Sequence, residues 1–210
     1  MSLFDLTVAI TPAIPVFPGD PAFSMSPVKT LGSGCCFNLH HMHMTNHIGT
    51  HIDFPAHVIQ GGKTSNDYPI ETLQGPGLIA ELPQDAHCVT REFVETLPIQ
   101  ENDFVFFKTS NSTFWEHNTL SEDFVYIDPE AANLLVTKKV KIVGIDYLSV
   151  DKYEAGHLPV HHILLSNDIL IVEGLDLHDV PAGRGEITIM PLKVADMDGL
   201  PARVTMKYNN

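Results

Sequence analysis

Short runs of apolar residues, separated by proline and glycine, recur along the whole chain. Runs of this length that contain branched or aromatic residues are typical of buried strands. The pattern predicts strands at 3–9, 77–82, 103–108, 140–145, 169–173, 186–190 and 202–207, and an extended segment at 37–45. We therefore expect a chain that is rich in strands.

Three segments have the features of a helix. The segment 90–97 begins with Thr90 as an N-cap, and its apolar residues fall on one face. Asp128, Pro129 and Glu130 form a second helix start, from which a helix should run to about residue 137. The segment 157–165 is the third. Because strands outnumber helices and several connections are too short for helical crossovers, we expect a mixed-sheet α/β fold, in one domain over residues 1–210.

The charge balance narrows the choice of partners. The 210 residues include 12 Lys and Arg against 26 Asp and Glu, a formal net charge of −14. An acidic surface repels nucleic acid and anionic membranes, so neither is expected as the main partner. No apolar run is long enough to span a membrane, and the first residues lack the basic start of a signal peptide. With only three cysteines, we expect a reduced, cytoplasmic protein in which Cys35 and Cys36 are buried, inert thiols.

The segment from His47 to His57 concentrates metal-binding side chains. It reads His-Ile-Gly-Thr-His-Ile-Asp-Phe-Pro-Ala-His, with three histidines and one carboxylate in eleven residues. Imidazole and carboxylate are ligands that suit zinc and similar ions. In an extended segment His47, His51 and Asp53 would share one face, and Gly49 would leave room for an ion near the backbone. The spacing therefore predicts a metal site.

A second group of such residues lies far along the chain. His161 and His162 precede Glu173, which ends an apolar run. Because an unpartnered buried carboxylate is costly, either Glu173 caps the strand at the surface or a cation accompanies it. Neighbouring residues of a helix point in different directions, so one of the two histidines could join Glu173 at a second ion.

Together these motifs resemble those of the cyclase-like metal-dependent hydrolases, a family that includes bacterial kynurenine formamidases. The resemblance covers most of the chain, and its core is the His47–His57 motif. The other matching segments follow in the family's order: Phe17-Pro-Gly-Asp20, Gly61-Gly-Lys63, Gly144-Ile-Asp146, His161-His162 and Glu173-Gly174.

The resemblance implies two divalent ions per subunit, zinc or alternatively manganese. One would be held by the residues that match His47, His51 and Asp53. The other would be held by those that match Asp53, His161 and Glu173, with the carboxylates bridging. The family also implies a homodimer or a tetramer.

Further residues receive roles through the same resemblance. Of the adjacent histidines, His161 matches the family's ligand and His162 does not. The residue that matches His57 is the proton shuttle. Phe17 stands where formamidases usually have tryptophan, and Ala56 stands where an aromatic residue is common. We therefore expect an aromatic wall for the substrate at Phe17 and a larger pocket beside Ala56.

The activity implied is hydrolysis of a small amide by a metal-activated water, with an aryl formamide such as N-formylkynurenine favoured. Ring opening of a cyclic amide or lactone uses the same chemistry and is the alternative reaction. A non-catalytic protein that binds a metal or ligand is the alternative from another class. Such a protein has no need of a proton shuttle beside a complete ligand set, so His57 favours an enzyme.

The remaining candidates are assigned structural roles. His41-x-His43 resembles the start of a cupin metal motif, but the next eight residues contain no acid. Alternation would place Phe37, Leu39, His41 and His43 on one face, so sheet packing is their expected role. Trp115 is expected in the core or in an interface, with a place in the pocket lining as the alternative.

Overall fold

A computed structural model of the chain describes residues 1–117, 120–153 and 155–208. A helix able to span a bilayer is not found among these residues. The α-helices are α1 (Arg91–Thr96), α2 (Phe114–His117), α3 (Pro129–Thr137) and α4 (Pro159–Ser166). The strands are β1 (Ser2–Asp5), β2 (Ser24–Lys29), β3 (Leu39–His43), β4 (His51–Asp53), β5 (Gln74–Glu81), β6 (Cys88–Val89), β7 (Phe104–Lys108), β8 (Tyr126–Ile127), β9 (Ile142–Ile145), β10 (Leu170–Glu173), β11 (Gly183–Pro191) and β12 (Gly199–Tyr208).

The main sheet closes on itself. Its order is β1-β12-β11-β5-β7-β9-β10-β4, and β4 also pairs with β12, so seven strands form a ring to which β1 is added at β12. Strands β5, β7, β9 and β10 run parallel to one another, and the other pairs of the ring are antiparallel. The expected mixed sheet with more strands than helices is therefore confirmed, whereas the ring closure goes beyond the prediction.

The ring separates two apolar clusters. Successive residues of a strand face opposite sides, and Ile52 and Val172 belong to an inner cluster that draws on all seven ring strands and on no α-helix. Ile171 belongs to an outer cluster that also contains Leu135 of α3 and Leu164 of α4. Helices α3 and α4 thus pack on the outside of the ring.

The first turns of the helices differ in whether a neighbouring side chain caps them. The Thr90 side chain accepts a hydrogen bond from the Phe93 N–H at 3.2 Å, and Asp128 accepts one from the Glu130 N–H at 2.9 Å, so both predicted caps are confirmed. Helix α4 is different, because its first N–H groups bond to the carboxylate of the distant residue Asp151.

The extended conformation expected from His47 to Asp53 is only partly present. The strand begins at His51, because Gly49 turns the chain with a φ of +61°. A β-carbon at Gly49 would lie 3.2 Å from both Ile10 and Ile14, so apolar side chains fill the space beside it. The expectation that Gly49 leaves room for an ion is therefore wrong.

Strands β2 and β3 form a separate two-stranded ribbon that stands away from the ring. Every residue from 24 to 44 except Cys35 is exposed, including Cys36, so neither thiol is buried and that expectation is wrong. The sheet-packing role expected for His41 and His43 is wrong too, because both faces of the ribbon are exposed and the two rings contact each other with centroids 4.4 Å apart.

Candidate metal and catalytic site

The pairing of β4 with β10 brings three of the expected ligands to one face. His51 lies opposite Glu173, and Asp53 lies opposite Ile171. Because Ile52 and Val172 point into the ring, His51, Asp53 and Glu173 point outward, toward the side on which α4 packs. All three are buried. Two strands that are distant in sequence therefore build the base of the site.

His161 reaches this base from the first turn of α4. Its Nδ1–H donates to Asp151 Oδ2 at 2.6 Å, which leaves Nε2 facing Glu173 Oε1 at 3.3 Å and Asp53 Oδ2 at 3.6 Å. His51 is held in the same way, since its Nδ1–H donates to the Gly49 carbonyl at 2.9 Å and its Nε2 lies 3.4 Å from both Asp53 and Glu173. Both rings therefore turn Nε2 toward the carboxylates. His162, in contrast, is exposed.

His47 and His57 complete the cluster on its open side. Their ring centroids are 4.1 Å apart, and His47 Nδ1 lies 2.8 Å from Asp53 Oδ1. The His47 ring fits because residue 199 is glycine: a β-carbon there would lie 2.3 Å from the ring. His57 is the last residue of the short 3₁₀ turn Pro55–His57, and its side chain is half-buried.

Several polar atoms at the centre of the cluster have close neighbours but no well-directed hydrogen bond, among them Asp53 Oδ1, which lies 2.8 Å from His47 Nδ1. Among the described residues, four buried side-chain polar atoms lack a hydrogen bond, and three of these are His51 Nε2 and both carboxylate oxygens of Asp53. Leaving such atoms unpaired is costly, and a divalent cation would satisfy all three at once. The mixed imidazole and carboxylate set suits zinc or manganese, so the residues present fit a metal ion.

The electrostatics of the cluster also favour added positive charge. Burial alone would lower the pKa of His47, but its contacts with Asp53 and Asp198 outweigh burial and raise that pKa to about 9. Burial opposes protonation of His161 as well, yet the Glu173 charge and the Asp151 hydrogen bond hold its pKa well above the usual value. Burial would raise the pKa of Asp53, but the neighbouring histidines bring it well below its usual value. Protons thus occupy the place that a metal would take.

The structure brings the expected residues together in a grouping that differs from the expected one. Asp53 belongs to two groups whose donor atoms lie within 4.8 Å of one another, which agrees with a shared carboxylate. However, His51 is grouped with Glu173, and His57 is grouped with His47. His57, expected only as a proton shuttle, therefore lies within the range of the donor atoms.

A cavity of about 330 Å³ opens onto the cluster. Phe17 lies at this cavity, as expected, with its ring centroid 6.3 Å from that of Tyr153, whereas Ala56 is not among the described residues that line it. Trp115 is also absent from the lining, since it packs beside a small apolar cluster and donates a hydrogen bond to the Leu175 carbonyl at 3.0 Å. Besides the cluster, the lining includes Phe17, Asp20, Asn46, Leu148, Ser149 and Leu158.

Two carboxylates of the site had no recognisable signal in the sequence. Asp151 orients His161, and Asp198 contacts both His47 at 2.9 Å and His57 at 3.3 Å. Each is a single acid in a loop, without a motif or a regular spacing to any ligand. Only the folded arrangement identifies them.

Comparison with known proteins agrees with this geometry. The family model described as putative cyclase matches residues 4–152. The kynurenine formamidase of Salinibacter ruber (strain DSM 13855 / M31) is 32% identical over 208 residues, which cover 99% of this chain and 98% of that protein. The kynurenine formamidase of Erythrobacter litoralis (strain HTCC2594) is 32% identical over 207 residues, covering 98% and 93% of the two chains.

Solved structures share the fold. A potential metal-dependent hydrolase with cyclase activity superposes with a TM-score of 0.84 at 35% identity, covering 98% of this chain and 96% of that one. Isatin hydrolase A from Labrenzia aggregata gives a TM-score of 0.84 at 23% identity, covering 97% and 92%, which is a likeness of fold. The fold, the ligand motif and the full-length similarity lead to one conclusion: the chain belongs to the putative cyclase family.

Proposed function

We propose that this protein is a metal-dependent hydrolase that cleaves a small amide, with an aryl formamide such as N-formylkynurenine as the favoured substrate. The observation that carries the proposal is the buried group of His51, Asp53 and Glu173, in which His51 Nε2 and both Asp53 oxygens lack a hydrogen bond while His51 and Glu173 line an open cavity. The formamidases that match the whole chain support the choice of substrate.

The proposed ligands are those expected from the sequence, namely His47, His51, Asp53, His161 and Glu173. Two donor groups that share Asp53 support two ions per subunit, with zinc favoured over manganese. A divalent ion, when bound there, polarises a carbonyl and lowers the pKa of a water to near neutrality.

The chain's own residues supply the rest of the chemistry. His57 is the proposed proton shuttle, taking a proton from the attacking water and passing it to the departing nitrogen. It lines the cavity and is half-buried, so it can contact a substrate there. Phe17, at the same cavity, would cover the apolar part of the substrate.

Stripping and reloading the metal tests this function. Protein treated with a chelator should lose hydrolysis of N-formylkynurenine and recover it with zinc or manganese. A panel of cyclic amides and lactones, assayed in parallel, distinguishes the ring-opening alternative. Full metal loading without turnover of any of these compounds would overturn the enzyme assignment and favour a binding protein.

We also propose that the protein self-associates through the ribbon of β2 and β3. Seven large apolar side chains of residues 25–44 are exposed there, and an isolated two-stranded ribbon is at best marginally stable in water. No Asp or Glu occurs from Pro21 to Ile52, although the chain has 26 acids, so the acidic remainder of a second copy complements this segment. We propose, separately, a cytoplasmic location, because the three cysteines are free thiols, as is usual in a reducing compartment.

A further inference from the structure

Asp198 contacts two histidines of the site at once. Its Oδ2 lies 2.9 Å from His47 Nε2 and 3.3 Å from His57 Nδ1, while its Oδ1 accepts a hydrogen bond from Asn46 Nδ2 at 2.8 Å. The two rings are 4.1 Å apart and tilted by 34°. One carboxylate therefore connects the expected metal ligand to the expected proton shuttle.

The chemistry of this contact decides which ring nitrogens carry protons. A carboxylate only accepts hydrogen bonds, so both nitrogens that face Asp198 must present an N–H. His47 then donates from Nε2 to Asp198, while its Nδ1, which lies 2.8 Å from Asp53 Oδ1, carries the proton that a bound metal would replace. His57 donates from Nδ1, so in its neutral ring Nε2 is the acceptor that a general base requires.

We propose that Asp198 is a positioning residue, which fixes the ring orientation and the tautomer of His47 for metal binding and of His57 for proton transfer. The role of Asp198 toward His57 rests on the proposed function. Its role toward His47 concerns metal binding by the chain and needs no substrate.

The orientation of Asp198 is itself built into the structure. Asn46 immediately precedes His47 and also donates a hydrogen bond to the Gly199 carbonyl at 3.2 Å, so one amide ties the loop before β4 to the start of β12. Gly199 in turn leaves the space that the His47 ring occupies. The Asp198–Gly199 pair thus supplies both the acceptor and the room for the ring.

The same loop offers a matched control. The carboxylate of Asp196 accepts a hydrogen bond from Asn66 at 2.6 Å, and none of its hydrogen bonds among the described residues involves the site. Asp196→Asn and Asp198→Asn make the same isosteric change two positions apart. They differ in whether the altered carboxylate contacts His47 and His57.

The test uses the full chain loaded with zinc. Removing a carboxylate that orients a metal-bound histidine typically weakens metal affinity 10–100-fold, and we expect a loss of about that size for Asp198→Asn and none for Asp196→Asn. Long-range ¹H–¹⁵N correlation spectra of the imidazole rings should show the Nδ1–H form of His57 in the wild type and its partial replacement by the Nε2–H form in Asp198→Asn. In turnover of N-formylkynurenine, kcat should fall while KM stays unchanged.

Further results separate the alternatives. Asp198→Glu keeps an acceptor and should restore part of the tautomer population, which a purely structural role would not do. Unchanged zinc affinity and unchanged tautomers in a folded Asp198→Asn protein would overturn the proposal. Loss of one zinc equivalent at saturating zinc would overturn it as well, because Asp198 would then be a ligand. If no amide is hydrolysed by the wild type, the function fails while the affinity and tautomer results still decide the role of Asp198.

Discussion

His57 is the residue for which the site offers two roles, metal ligand and proton shuttle. The sequence separates it from the ligands by Pro55, whereas the structure places its ring against His47 and groups it with His47 and Asp53 as a potential ligand. Its contact with Asp198 at 3.3 Å gives it the partner that a general base needs. Metal content and turnover together distinguish a ligand from a proton shuttle.

Replacing His57 with alanine should lower kcat by ~10²–10⁴ and leave the bound metal unchanged, because the remaining ligands stay in place. Elemental analysis of the purified variant and initial rates on N-formylkynurenine measure the two quantities. His162→Ala, which removes an exposed histidine beside a proposed ligand, is the control and should change neither. A variant that has lost metal would identify His57 as a ligand.

Asp53 should be the residue on which metal binding depends most, because it alone belongs to both donor groups. Asp53→Asn keeps the shape of the side chain and removes its charge, so we expect loss of both ions. Glu173→Gln changes one group only and should lose one ion. Isothermal titration of chelator-treated protein with zinc gives both stoichiometries. Retention of one full equivalent by Asp53→Asn would contradict the shared role.

The sequence identifies the proposed metal ligands more readily than the carboxylates that orient the histidines. His47, His51 and Asp53 lie close together in a regular pattern, and pattern is what a sequence displays. Asp151 contacts His161 and Asp198 contacts His57 only in the folded protein, so no local sequence pattern marks either carboxylate. Only the family resemblance distinguishes His161 from His162 as the ligand, since local periodicity leaves both possible.

At the scale of elements, the site depends on a close approach of two loops. Gly174, just after β10, has a φ of +68°, and a β-carbon there would lie 2.1 Å from the Gly49 carbonyl oxygen. Thr50 reinforces the approach by donating from Oγ1 to the Gly174 carbonyl at 2.5 Å. The ends of β4 and β10 are thus locked next to the ligands His51 and Glu173.

Gly174→Ala should therefore destabilise the protein far more than its backbone conformation alone requires. Gly61 has a similar φ of +73° but nothing within 4 Å of its missing β-carbon, so Gly61→Ala measures the conformational cost alone. We expect about 1–2 kcal/mol for Gly61→Ala and roughly 2–5 kcal/mol for Gly174→Ala, measured by urea unfolding. Equal losses for the two variants would show that the loops separate without cost.

Most elements follow from local sequence, and the exceptions have a common cause. Apolar runs predict β5, β7, β9 and β10, because a buried parallel strand is apolar along its whole length. Caps predict α1 and α3. The pairing of β4 with β12 involves three residue pairs, among them Gly199 with Asp53, and no periodicity marks it. Ring closure is therefore decided by tertiary packing.

At the scale of the whole molecule, the charge of the metal-free site couples to stability. The pKa of His47 is raised from its usual value near 6.5 to about 9, with burial opposing the rise and Asp53 and Asp198 causing it. A raised histidine pKa stabilises the fold below 6.5, and this contribution is lost as the pH rises toward 9. A bound metal takes the place of the protons and removes that dependence.

We therefore expect the melting temperature of chelator-treated protein to fall between pH 6.5 and pH 9, and the stabilisation by zinc to grow over the same range. Differential scanning calorimetry with and without zinc provides the comparison. His47→Gln should flatten the metal-free profile, which separates this effect from the general increase in negative charge. A metal-free melting temperature that rises with pH would contradict the assignment.

The proposed self-association through the ribbon can be tested with charged substitutions. Leu39→Glu and Met42→Glu place acids on the acid-free ribbon and should repel the acidic surface of a second copy. Light scattering at micromolar concentration should give a multiple of 23.2 kDa for the wild type and 23.2 kDa for either variant. Leu3→Glu, on the exposed strand β1, is the control and should leave the assembly intact. A monomeric wild type would refute self-association through the ribbon.

The contact between Thr50 and Gly174 also constrains the order of folding. These residues are 124 positions apart, so the donor atoms of the site meet only after a very long chain segment has closed. Closure of this kind is slow compared with the formation of local helices and hairpins. High-affinity zinc capture should therefore develop with the last refolding phase, and a zinc-sensitive dye present during refolding would time the completion of the ring.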